Sequence, residues 1–232
     1  MKLAPLGDDA VIATLGEKLD VETASAACAL SRALLAKPLP GVGECVPANA
    51  SVTVFYDPGR VPKKKDATPY DRVCQWVASR AAAAKAPELA SARRLVVPVC
   101  YGGEFGADLD AVASAHGLEP AQVVALHSGA DYFVSAVGFA PGFAYLVGMP
   151  EELHTPRRKT PRTRVPAGSV AIGGAQTGIY PFETPGGWNL IGATPWRLFH
   201  PYAEVPTRLQ TGDCVRFKPV TPEEFATLRN SP

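Results

Sequence analysis

The chain has 232 residues, 47% of them hydrophobic and 19% charged, and 23 Lys and Arg against 22 Asp and Glu leave a formal net charge of +1. That length and apolar content can fill one large domain or two small ones. The balanced charge excludes a general electrostatic pull toward nucleic acid or an anionic membrane, so partners must be recognised locally.

In chain order, residues 10–15 (AVIATL) read as a strand, and Val21 to Leu35 carries apolar residues at helical spacing. Residues 43–46 and 51–56 (SVTVFY) alternate in the manner of strands, Tyr70 to Ala84 returns to helix, and RLVVPV at 94–99 is extended. This order matches the ferredoxin-like split β-α-β pattern. The stretch AAAAKAPELASAR at 81–93 is poor in bulky core residues and contains Pro87, which suits a boundary between domains. Two domains are expected, 1–88 and 89–232. Two short helices follow at Ala107 to Ala115 and Glu119 to Leu126, the second with Pro120 in its first turn. Then FVSAV forms a short strand. From Gly138 to Gly212 glycine and proline are dense enough to exclude long helices and to favour short strands joined by tight turns, hence a β-barrel. The fold class expected is α+β.

No apolar run is long enough to cross a bilayer, and MKLAPLGDDA lacks the cationic start and apolar core of a signal peptide, so a cytoplasmic protein is expected. Cys28, Cys45, Cys74, Cys100 and Cys214 are scattered, odd in number and without a CxxC pair, which suits reduced, buried thiols. Phosphate-loop, dinucleotide, HExxH and GxSxG signatures are all missing. His116, His127, His154 and His200 are too far apart for a local metal motif, and no metal site is assigned.

What remains is residues 127–196. Residues 138–146, GFAPGFAYL, place Gly138, Phe139, Pro141 and Gly142 where main chain and aromatic faces can meet a ligand. In PRRKTPRTRVPAGS, residues 156–169, Arg157 and Arg162 each follow a proline, and a fixed backbone reduces the entropy lost when a guanidinium grips an anion. The Lys63 to Lys65 run has no aromatic or glycine companions and reads as a solvated turn. Gln176, Thr177, Tyr180, Trp188 and Asn189 lie among paired glycines, in keeping with a pocket that aims a few polar groups from an apolar wall. His127 reads either as a cap or satisfied buried side chain, or as a proton carrier.

The run GFAPGFAYLVGMP, the run PRRKTPRTRVPAGSVAIGGAQTGIYPFETPGGWNLIGATP, and the upstream blocks LGDDAVIATLG, LPGVGECVPANASVTVFYDP and VPVCYGGEFGADLDAVA resemble the family of 5-oxoprolinase B subunits. That family is also catalogued as allophanate hydrolase subunit 1, as the sporulation-kinase inhibitor KipI, and as subdomains C and D of a carboxyltransferase domain. The resemblance covers nearly the whole chain. It implies an N-terminal α+β domain followed by a cyclophilin-like β-barrel, and a related partner, the 5-oxoprolinase C subunit (KipA-like). With a third protein, the 5-oxoprolinase A subunit, these open 5-oxo-L-proline, a cyclic amide, to glutamate with ATP hydrolysis. On that reading Arg157 and Arg162 meet phosphoryl charge or the substrate carboxylate, main-chain amides around Gly138 to Gly142 and Gly173 to Gly174 donate hydrogen bonds, and His127 shuttles a proton. With no nucleotide motif in the chain, ATP and its magnesium belong at the partner interface or on another protein of the complex. Two other functions go with the family name: inhibition of a sensor histidine kinase by docking of the barrel, and membership of a biotin-dependent urea or amide carboxylase.

Overall fold

A computed structural model describes residues 1–83 and 92–230. The chain divides into two compact units, Met1–Ala92 and Arg93–Pro232. The boundary expected between residues 88 and 89 lies outside the described residues.

The first unit is a four-stranded antiparallel sheet with two helices. β1 (Lys2–Pro5) and β2 (Ala10–Thr14) lead into α1 (Val21–Leu35), then β3 (Val42–Ala48), β4 (Ser51–Tyr56) and α2 (Pro69–Ala83), with strand order β1-β2-β4-β3. Asp20 caps α1 by accepting the Thr23 amide at 2.8 Å, satisfying one of the helix's orphan donors. Alternate residues of β2 and β4 (Val11, Ala13, Val52, Val54) point into one core with Leu30 and Leu34 of α1 and Val73, Trp76 and Val77 of α2. From β2 to α2 the order is that of a split β-α-β unit, but its closing strand is not the expected one. Residues 94–99 belong to the second unit, and the N-terminal β1 fills the vacant sheet edge by pairing with β2. Lys63, Lys64 and Lys65 are exposed.

The second unit is built on a closed seven-stranded barrel. Its strands are β5 (Arg94–Tyr101), β6 (Asp131–Val137), β7 (Ala144–Val147), β9 (Ser169–Gly173), β10 (Gln176–Ile179), β12 (Asn189–Ala193) and β13 (Cys214–Pro219), in the order β10-β7-β6-β13-β5-β12-β9. β13 runs parallel to β5 and the other pairs are antiparallel. The interior is filled by Val97, Val99, Tyr132, Val134, Leu146, Ile172, Ile179, Ile191 and Phe217. The two helices α3 (Leu109–His116) and α4 (Pro120–Gly129) join β5 to β6, and α5 (Pro222–Asn230) ends the unit. α4 starts with Pro120 and a capping box between Glu119 and Gln122, so the fixed proline angle and two satisfied donors set its first turn. A separate ribbon pairs β8 (Arg162–Val165) with β11 (Thr184–Gly186). Architecture and composition agree here: the glycine- and proline-rich half is a cyclophilin-like barrel, and the fold is mixed α and β.

An aromatic cleft beside an arginine loop

A second, smaller cluster of the barrel unit buries Ala140, Phe143, Val165, Ala171, Tyr180, Trp188 and Leu190 together. Phe143 is its hub. Its ring meets Phe139, Tyr145, Tyr180 and Trp188, each edge-on, with centroids 5.6, 4.8, 5.1 and 5.6 Å away. Edge-to-face contacts set the positive rim of one ring against the negative face of the next, which fixes orientation as well as burying area. Gly173 makes room for the wall: a Cβ there would lie 2.5 Å from the Trp188 ring. These rings, with Arg157, Arg158, Pro161 and residues 184–187, enclose a cleft of about 450 Å³. That volume falls within the range that takes small organic ligands.

The arginine loop is pinned beside this cleft. Thr155 and Gly174 exchange backbone hydrogen bonds at 3.2 and 2.7 Å, the Asn189 side-chain amide donates to the Pro156 carbonyl at 2.9 Å, and the Arg158 amide donates to the Gly187 carbonyl at 2.7 Å. Arg157 lies between these anchors with its guanidinium 5.7 Å from the Trp188 ring centre, a cation-π placement. Among the described residues it has no carboxylate partner. Tyr145 and Tyr180 are the two phenols of the cleft lining. Burial raises both phenols above their ordinary values; Arg157 opposes the shift at Tyr145, and the Trp188 amide and the Arg157 and Arg162 charges oppose it at Tyr180.

Arg162 and Arg158 converge on Asp108, just before α3. Arg162 grips both carboxylate oxygens at 2.8 Å, Arg158 adds a 2.9 Å bond, and the Leu190 amide donates at 2.7 Å. Burial pushes the Asp108 carboxyl up, but the Arg162 and Leu190 hydrogen bonds and the two arginine charges outweigh it and hold the pKa below the usual value.

The structure therefore sorts the expected site residues. Phe139, Arg157, Tyr180 and Trp188 line the cleft. Arg162 does not offer a free fork, because Asp108 already occupies it. Gly138, Pro141 and Gly142 shape the β6–β7 hairpin, and the Gly138 amide donates to the Phe143 carbonyl at 3.0 Å. The Gly174 amide likewise donates to the Thr155 carbonyl. Asn189 anchors the arginine loop. Gln176 and Thr177 are buried at the start of β10, outside the cleft lining.

His127 is corrected most sharply. It is fully buried, stacked on Phe217 with ring centres 4.5 Å apart, and both ring nitrogens are engaged. Nε2 lies 2.9 Å from Thr177 Oγ1, whose own proton goes to the Ala171 carbonyl at 3.0 Å; Nδ1 lies 2.8 Å from the Tyr101 hydroxyl. Donor counting assigns the neutral Nε2–H tautomer, with Tyr101 donating to Nδ1 and His127 donating to Thr177. Burial pushes the imidazole pKa down to about 3. A proton shuttle needs access to substrate or solvent, and His127 has neither; it is a satisfied core residue.

Phe143, Tyr145, Arg158 and Asp108 are the site residues that motif reading passes over. Asp108 falls inside the helix expected at Ala107 to Ala115, but it stands at the N-cap of α3, where its side chain makes no cap hydrogen bond and turns to the arginines instead. Among the described residues no group of three or more His, Cys, Asp or Glu could hold a metal ion, and no helix is long and apolar enough to cross a membrane.

Residues 1–209 match the family model described as carboxyltransferase domain, subdomain C and D. The chain is 40% identical to the 5-oxoprolinase B subunit of Bacillus subtilis over 227 residues, covering 97% of this chain and 95% of that one. It is 42% identical to the 5-oxoprolinase B subunit of Escherichia coli O157:H7 over 214 residues, covering 92% and 94%. The urea amidolyase of K. lactis superposes with a TM-score of 0.77 over 97% of this chain and 15% of that one; at 19% identity this is a likeness of fold. The chain belongs to the carboxyltransferase domain, subdomain C and D, family, together with the 5-oxoprolinase B subunits.

Proposed function

We propose that this chain is the B subunit of a 5-oxoprolinase and that the aromatic cleft is where the cyclic amide is held. The observation that carries the reading is Arg157: anchored on both sides, over Trp188, and without a carboxylate of its own among the described residues. A small lactam acid presents two features, a compact ring and a carboxylate. Aromatic walls suit the ring, and a guanidinium carried on an anchored loop beside Trp188 suits the carboxylate because the loop need not be ordered on binding. Hydrolysis adds water across the ring amide, breaking the C–N bond to leave a new carboxylate and a free amine.

The work assigned to this chain is binding and orientation. ATP and magnesium are assigned to the partner proteins: Arg162 is held by Asp108, and the Gly138 and Gly174 amides are engaged within the fold, so the donors that would cradle a triphosphate here are few. The partners are the related, KipA-like C subunit of the enzyme and its A subunit.

The test is reconstitution. Glutamate formation from 5-oxo-L-proline is measured with all three proteins, with and without ATP, and with each protein omitted. ATP-dependent glutamate that requires this chain supports the reading. An assembled, folded complex that forms no glutamate overturns it.

A further inference from the structure

Phe139 combines three properties that packing within the barrel does not explain. Its φ is +69°, a left-handed conformation in which a bulky aromatic residue is an outlier. The residue is 68% exposed. It also lines the cleft.

The strain has a local cause. The β6–β7 hairpin is closed by the Gly138 amide on the Phe143 carbonyl at 3.0 Å and by the Phe143 amide on the Ala140 carbonyl at 2.9 Å. Within the inner turn, Pro141 and then Gly142, at φ +84°, take the two central positions of a type II turn. Residue 139 absorbs the remaining bend. Glycine or asparagine would adopt that angle with little strain, whereas phenylalanine is strained there and leaves most of its ring in water. A strained conformation held by its surroundings beside a ligand cleft points to a role in binding. The Phe139 and Trp188 rings stand nearly perpendicular to Phe143, at 80° and 89°, so the hub orients both cleft rings.

We propose that Phe139 is the specificity-determining aromatic of the cleft, covering the ring of a cyclic acid and thereby separating cyclic from acyclic ligands that carry the same carboxylate. The inference deepens the lactam reading and rests on it.

The test uses the full chain and two probes, 5-oxo-L-proline and the acyclic N-acetylglycine, titrated calorimetrically, with a thermal melt of every variant. The wild type binds the cyclic probe more tightly than the acyclic one. Phe139→Asn and Phe139→Gly melt at or above the wild-type temperature, bind 5-oxo-L-proline roughly tenfold more weakly, as expected for loss of an aromatic contact, and bind N-acetylglycine unchanged. Phe139→Tyr restores the preference. Variants that bind 5-oxo-L-proline as tightly as the wild type overturn the proposal while leaving the lactam reading intact. So do variants that melt lower and lose both probes in step, because Phe139 is then structural. A wild type that binds both probes alike overturns the proposal, and one that binds neither overturns the lactam reading with it.

Discussion

Arg162 holds Asp108 through two parallel hydrogen bonds of 2.8 Å each, and the same carboxylate takes Arg158 and the Leu190 amide. One buried acid thus joins the start of α3, the start of β12 and the arginine loop. Asp108 has 6% of its side chain exposed, but Arg158 and Arg162 retain 37% and 24%, so water screens part of the interaction. Asp108→Asn keeps an acceptor for Leu190 but loses the charge, and is expected to lower stability by about 2 kcal/mol, below the figure for a fully buried pair. Urea unfolding checks this. A double-mutant cycle should give stronger coupling of Asp108 to Arg162 than to Arg158, since Arg162 makes the bidentate contact.

Arg157 and Arg162 look equivalent as proline-arginine pairs, but Asp108 holds Arg162 while Arg157 has no carboxylate partner among the described residues, and substitution separates them. Arg157→Ala leaves the unfolding free energy within about 0.5 kcal/mol of wild type and weakens 5-oxo-L-proline binding by roughly tenfold or more. Arg162→Ala leaves the buried carboxylate with Arg158 as its one cation, beside the Leu190 amide, and lowers stability by about 1–2 kcal/mol. The paired measurements are a calorimetric titration and an unfolding curve for each variant. A destabilised Arg157→Ala that binds normally would reverse the assignment.

Periodicity carries much of the fold. α1 spans the residues expected of it, because apolar side chains at helical spacing are a local signal. Residues 94–99 are equally legible as a strand, but their sheet is not. A strand's alternation says that it pairs, and β1, only Lys2–Pro5, is too short to announce that it takes the vacant edge. The site is legible where a residue's type suffices, as with Trp188 and Tyr180. It is not legible where the partner lies far along the chain: nothing near Arg162 says that Asp108, 54 residues earlier, occupies its fork. The burial of His127 is hidden for the same reason, since Thr177 and Tyr101 reach it only through barrel closure.

Gly173 bears on the cleft through what it lacks. A Cβ there would fall 2.5, 2.6 and 2.7 Å from three atoms of the Trp188 indole, inside any tolerable contact. Gly173→Ala must push the ring out of its edge-on contact with Phe143 and away from the Arg157 guanidinium. The expected cost is about 1–3 kcal/mol of stability, as for overpacking in a well-filled core, with weaker 5-oxo-L-proline binding. Near-ultraviolet circular dichroism, sensitive to the packing of Trp188, is the direct readout; an unaltered spectrum would show that the wall yields without moving the ring.

The buried imidazole of His127 gives the protein a pH dependence of defined sign. Its folded pKa is about 3 against an ordinary value of 6.5, so on acidification the unfolded chain takes up a proton that the folded barrel refuses. The stabilisation is fully present above about pH 6.5 and declines as pH falls toward 3, by at most about 1.4 kcal/mol per pH unit from this group. Between about pH 6.5 and 5 the histidine acts largely apart from the carboxylates, whose ordinary values lie lower. His127→Gln keeps a donor and an acceptor but cannot be protonated, so it loses the Phe217 stacking contact at every pH and flattens the slope in that window. Urea midpoints at roughly pH 7.5, 6.5, 5.8 and 5.0 for both proteins decide the matter. Parallel curves would mean that another group carries the acid sensitivity, whereas convergence toward about pH 5 would assign it to His127.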